Sequence, residues 1–123
     1  MTRTPVQGTT PLGAYSPGII AEGTFLFVSG QTPQRGGETI LGTIQEETRL
    51  TLDNIGLILE AAGASFADVV RCNVYLSDLD SFEAMNAVYE TYFPEPRPAR
   101  TTVGVALLHG MQIEIDCIVA LPV

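Results

Sequence analysis

Apolar and polar positions along this chain fall into two periodicities, one close to two residues and one close to three and a half. Gly18–Ala21 and Thr24–Ser29 read as short strands around the turn pair Glu22-Gly23, the signature of a hairpin. Gln34 to Gly42 is rich in glycine and reads as a loop, with room for a short strand at Glu38–Leu41. Thr43 followed three residues later by Glu46 matches a capping box, and Thr48, Leu52, Ile55, Leu59 and Ala62 then recur at helical spacing. Gly63 suits the left-handed residue that ends such a helix. Asp68–Ser77, rich in β-branched and aromatic residues, reads as a strand. Asp80 with Glu83 matches a second capping box, opening a helix whose Phe82, Met85, Tyr89 and Phe93 share one face. Pro94, Pro96 and Pro98 stop it, and strands over Arg100–Leu107 and Gln112–Ala120 flank the turn Leu108-His109-Gly110-Met111.

The order ββ(β)αβαββ predicts an α+β two-layer sandwich, a mixed sheet with both helices packed on one face. In the last strand Ile113, Ile115, Cys117 and Val119 should face the helices, leaving Glu114, Asp116 and Ile118 on the other side. A chain this short cannot cover that second face itself, so sheets of several subunits are expected to meet there. The length fits one domain spanning residues 1–123.

Composition narrows the chemistry. All six basic residues are arginine, and without lysine the chain cannot anchor pyridoxal phosphate or form a Schiff base through its own side chain. A net charge of −8 argues against nucleic-acid binding. Cys72 and Cys117, each inside an apolar run, are expected as buried reduced thiols, and neither has a neighbour at metal-ligand spacing, so no metal is expected. No apolar run approaches the roughly 20 residues of a membrane span, and the N-terminus lacks the apolar stretch of a secretory signal, so the expectation is a cytoplasmic protein without membrane contact.

Four stretches in order resemble the Rid (YjgF/YER057c/UK114) family. They are Gly13-Ala14-Tyr15-Ser16, Val28-Ser29-Gly30-Gln31, Asn54 with Glu60-Ala61-Ala62-Gly63 followed by Asn86-Ala87-Val88-Tyr89, and Pro98-Ala99-Arg100-Thr101-Thr102-Val103 leading to Ile113-Glu114-Ile115. The resemblance implies a chorismate-mutase-like fold and a homotrimer whose sheets form a central barrel with sites in the clefts between subunits. It further implies cofactor-free hydrolytic deamination of 2-imino or 2-enamino acids, such as 2-iminopropanoate and 2-iminobutanoate, to 2-oxo acids and ammonia. The chain departs from the family pattern at Ala14, at Pro17-Gly18, at Thr102, where many deaminating members carry cysteine, and at the shortened turn bearing His109. These departures bear on substrate more than on fold.

The residues suit that chemistry one by one. A guanidinium holds a planar carboxylate through two parallel hydrogen bonds and stays charged at any physiological pH, which nominates Arg100 as the substrate clamp; the alternative is a surface arginine paired with Glu95, and Arg97 is its rival. Hydrolysis needs a group that takes a proton from water and returns one to the leaving amine, a role for Glu114, which could instead be a solvated strand residue. Tyr15 can orient water or the nitrogen, or simply cover the strands beside it. Following the resemblance, the backbone at Gly30 and Gln31 contacts substrate. Thr102, two residues from Arg100 on one strand face, lines the same pocket or is merely a β-branched strand residue. Asn86 binds ligand or a loop carbonyl, and His109 reads as a solvated turn residue.

If the last two strands form a simple hairpin, Glu114 lies about 16 Å along the strand from Arg100 and one small substrate cannot touch both within a chain; non-adjacent strands would change that distance. A cleft between subunits unites them under either topology. Two other readings stay open: a deaminase of a longer unsaturated amino acid in a catabolic pathway, and a trimeric carboxylate-metabolite-binding protein with a regulatory role and little turnover.

Overall fold

The computed structural model describes residues 3–122. Eight strands and two helices follow one another: β1 (Arg3–Val6), β2 (Gly18–Ala21), β3 (Phe25–Gln31), β4 (Gln34–Arg35), β5 (Glu38–Thr39), α1 (Ile44–Ala61), β6 (Val69–Leu76), α2 (Phe82–Tyr92), β7 (Ala99–Gly104) and β8 (Ile113–Ala120). The main sheet has the order β3-β8-β6-β7, with β6 and β7 parallel and the other neighbours antiparallel. It is mixed, and both helices pack on one side of it, as the sequence pattern predicts.

The capping box at Thr43 forms as read. Thr43 Oγ1 accepts the Glu46 amide at 3.1 Å, and Glu46 Oε1 accepts the Thr43 amide at 2.8 Å, so two of the amides left unpaired at a helix start are satisfied. At the other end Gly63 takes φ 73°, the left-handed conformation expected there. From the helices, Leu52, Ile55, Leu59, Met85, Tyr89 and Phe93 enter the core against Cys72, Val74, Ile113, Ile115, Cys117 and Val119. Burial on β8 alternates as its sequence does. Both cysteines are free and buried.

Three expectations change. Glu22-Gly23 does not close a hairpin: β2 pairs with β1, a strand the sequence pattern did not reveal, while β3 crosses to β8. Turn residues mark a reversal of the chain but not the partner that the next strand finds. The second capping box is also absent: a short 3-10 turn at Leu79–Ser81 leads into α2, and Asp78 rather than Asp80 accepts an amide there. Finally, β7 and β8 are not a hairpin, because β6 lies between them. The reason is connectivity: α2 is the crossover that a parallel pair requires, so β7 docks beside β6 and leaves the other edge of β6 to β8.

The sheet face away from the helices carries a polar patch in which Asp116 accepts from Asn73 Nδ2 at 2.8 Å and from the Tyr75 hydroxyl at 2.9 Å. Beside it, Phe25 and Phe27 stand 38% and 72% exposed, large apolar groups that the described residues of this chain leave uncovered.

Candidate active site

Arg100 lies near the start of edge strand β7, directly opposite Cys72 of β6, which in turn pairs with Cys117 of β8. Residues in such a row share a face, and this row faces the helices. The Arg100 side chain is only 8% exposed, yet its guanidinium meets no carboxylate among the described residues. It lies 4.6 Å from the ring centroid of Tyr89 and 5.5 Å from those of Tyr15 and Phe82, and Nη1 donates to Asn86 Oδ1 at 2.7 Å. Aromatic faces and one amide oxygen hold the cation in place without neutralising it. Burial pulls its pKa below the ordinary arginine value, with Tyr89, Cys72 and Tyr15 partly offsetting that pull. An arginine nevertheless keeps its charge at physiological pH.

The group opens into a cavity of about 250 Å³ lined by Leu12, Tyr15, Phe82, Arg100 and Thr102. Tyr15 reaches it on a loop tied to the segment before β7: the Ser16 amide donates to Pro98 O at 3.1 Å and the Ser16 hydroxyl donates to Arg97 O. The Tyr15 hydroxyl accepts the Leu12 amide at 3.0 Å, which rounds the loop over the cavity mouth. Gly13 is needed for close approach, since a Cβ there would stand 2.9 Å from Arg100 Nη2. Thr102 shares the face of Arg100, and its hydroxyl is buried without a partner among the described residues. A wider cleft of about 570 Å³ lies across Tyr15, between Pro11, Pro17, Glu95, Pro96 and Arg97. Its arginine is already bound to Glu95 at 3.0 Å, so the anion-seeking guanidinium is in the smaller cavity. Arg97, not Arg100, therefore makes the surface pair with Glu95.

Asn86 spends its carbonyl oxygen on Arg100. The carbonyl groups of the loop are held instead by Asn54, whose Nδ2 donates to Thr32 O at 3.0 Å and to Gln34 O at 2.9 Å. Tyr89 and Phe82, the rings that frame the cation, read in sequence only as members of an apolar helix face. The one available signal was their spacing, Phe82 four residues before Asn86 and Tyr89 three residues after it, which puts all three on neighbouring positions of one helix face.

Glu114 belongs to a different row. It pairs with Tyr75, which pairs with Val103, so it sits three residues from the Arg100 row and two strands away on the opposite face. Strand spacings put the two Cα atoms roughly 14 Å apart, in place of the hairpin distance. The Glu114 carboxyl packs on Gly30 at an irregularity in β3, where a Cβ would stand 2.1 Å from Oε2, so any larger residue would displace it. Gln31 follows at the end of β3, with Nε2 donating to Ser29 O at 3.1 Å. Arg100, Tyr15, Thr102 and Asn86 thus gather in one place, and Glu114, Gly30 and Gln31 in another. His109 is exposed on its turn at φ 56°. Among the described residues no cluster of histidine, cysteine, aspartate or glutamate could hold a metal ion, and no helix is long and apolar enough to cross a membrane.

Residues 7–121 match the family described as Endoribonuclease L-PSP. The chain is 44% identical over 105 residues to the protein mmf2, mitochondrial, of Schizosaccharomyces pombe, covering 82% of this chain and 83% of that one. It is 40% identical over 110 residues to the 2-iminobutanoate/2-iminopropanoate deaminase of Rattus norvegicus, covering 87% and 80%. The crystal structure of yeast Mmf1 superposes with a TM-score of 0.75 at 31% identity, covering 97% of this chain and 98% of that one. With the family match running through both clusters, this chain belongs to the Endoribonuclease L-PSP, or YjgF/Rid, family.

Proposed function

We propose that the protein hydrolyses 2-imino and 2-enamino acids with short side chains to 2-oxo acids and ammonia. The observation that carries this reading is Arg100: a buried guanidinium without a carboxylate partner among the described residues, opening into a small cavity walled by aromatic rings. Such a group selects a planar carboxylate, and the small volume selects a compact one. The rat relative is named for this reaction.

In the proposed mechanism Arg100 fixes the substrate carboxylate, and Thr102 offers its unpartnered hydroxyl beside it. Glu114 takes a proton from water as the oxygen attacks the imine carbon. That proton passes to the nitrogen, giving a carbinolamine; Glu114 then takes the proton of its hydroxyl and hands it to the same nitrogen, so that the carbonyl forms as the carbon–nitrogen bond breaks and ammonia leaves. Tyr15 orients the water or the nitrogen, and the backbone at Gly30 and Gln31 bounds the far side. No cofactor enters these steps. Because Arg100 and Glu114 lie on opposite faces of one sheet, the site is assembled between chains, with Glu114 supplied by a neighbour across the exposed face that carries Phe25 and Phe27. The assembly is a homotrimer, and the cytoplasm its location. The acidic surface disfavours nucleic acid despite the ribonuclease in the family's description.

The deciding experiment generates 2-iminopropanoate and 2-iminobutanoate with a lyase in situ and follows their decay. The protein is expected to accelerate 2-oxo acid formation in proportion to its concentration. Decay at the uncatalysed rate for both compounds overturns the proposal.

A further inference from the structure

The Glu47 carboxyl belongs to a residue only 2% exposed and is unused by the mechanism above. It lies in the first turn of α1 and faces no cation among the described residues. Three N–H groups converge on it instead: Oε1 accepts the Gln112 amide at 2.8 Å, while Oε2 accepts Gln112 Nε2 at 2.7 Å and the Gly42 amide at 3.1 Å. Gln112 Nε2 also donates to Gly42 O at 2.9 Å, closing the group into a ring of bonds. A buried carboxyl held in this way is strongly specified, because the backbone amides of Gln112 and Gly42 lose this acceptor if the group is removed.

The two segments that meet at Glu47 are the two that hold Glu114. In one direction Gln112 stands two residues before Glu114, and Gln112 O accepts the Ser77 amide at 3.1 Å, which fixes the start of β8 beside the end of β6. In the other, Gly42 follows Ile40, whose amide donates to Pro33 O at 2.8 Å, and Pro33 follows Gly30 and Gln31, the backbone on which the Glu114 carboxyl rests. The path from Glu114 through Gln112 to Glu47, and back through Gly42, Ile40 and Pro33 to Gly30, is a closed circuit with Glu47 where its halves join.

We propose that Glu47 is a positioning residue that holds the carboxyl of Glu114 against Gly30, and so sets turnover without touching substrate. The proposal rests on the reading of Glu114 as the proton-transferring group. The Arg100 cavity shares none of the circuit's residues, so carboxylate binding should be insensitive to it. A reacting group displaced by about 1 Å can cost on the order of 10²-fold in rate, so a loosened circuit registers in kcat before it registers in fold.

Glu47→Gln keeps the volume and turns an NH2 toward at least one of the three donors. The test measures its kcat on lyase-generated 2-iminobutanoate and, separately, its affinity for the product 2-oxobutanoate by calorimetry, with Glu114→Gln alongside. The expected result is a kcat lowered about tenfold or more with 2-oxobutanoate affinity within about twofold of the parent. Gln112→Met, which keeps Glu47 and both backbone donors but removes the side-chain donor, should lower kcat by a smaller factor at unchanged affinity; it carries the test alone if Glu47→Gln does not fold. Unchanged kcat in these variants, or a loss of affinity in step with kcat, overturns the proposal. Full activity in Glu114→Gln would instead remove the reading on which it rests, and the two failures are told apart by that variant.

Discussion

Arg100 and Asn86 show how little a residue's type says before its neighbours are known. Arginine and asparagine in a single chain allow a surface pair, a loop anchor or a ligand clamp, and only the fold puts Nη1 2.7 Å from Oδ1 beneath three aromatic rings. The arrangement predicts that Arg100→Ala weakens binding of a 2-oxo acid product by about 2–5 kcal/mol, the usual cost of truncating one side of a buried charge pair. Arg100→Lys should fail as well, since an ammonium cannot present the planar fork and would leave Asn86 and the rings misaligned. Calorimetric affinity for 2-oxobutanoate, with the oligomer checked in parallel, measures both. Affinity near the parent value in either variant would make Arg100 a structural residue.

At the scale of elements, α1 is the part whose limits the chain itself writes most plainly. Its capping box and its left-handed terminal glycine are local chemistry, complete within a few residues, and both are present. Thr43→Ala should therefore lower stability by about 1 kcal/mol, readable as a drop of a few degrees in thermal midpoint, while Thr43→Ser stays near the parent. Equal midpoints for Thr43→Ala and the parent would show that tertiary packing alone holds this helix end. The strands behave differently: β6, β7 and β8 are legible as strands but their partners are not. Pairing is decided by which edges remain after α2 carries the chain from β6 to a parallel β7, a long-range outcome that no local pattern encodes. The missed β1 has the same cause, since a proline-containing run of four residues becomes a strand only by finding β2.

For the whole molecule, the opposite-face placement of Arg100 and Glu114 carries the strongest consequence. Subunits lacking one group and subunits lacking the other should complement. Mixing Arg100→Ala with Glu114→Gln subunits, each inactive alone, is expected to restore turnover in about a quarter of the clefts of randomly formed trimers. Light scattering on the parent should report about three times the 13.2 kDa chain mass. No recovery in verified mixed trimers would place both groups in one chain's cleft, and a monomer or dimer would remove the shared site.

What the sequence determined by itself is what short-range chemistry controls: the helix of Thr43 to Gly63, the alternation that sends Ile113, Ile115, Cys117 and Val119 inward, and, through four ordered motifs, the family and its candidate residues. Side-chain periodicity and capping act over a few residues, so they can be read along the chain. Tertiary structure alone decided the strand order, the aromatic box around Arg100, the rest of Glu114 on Gly30, and the separation of the two clusters onto opposite sheet faces. Each of these depends on which strand fills which edge, and that choice is made by the core as a whole.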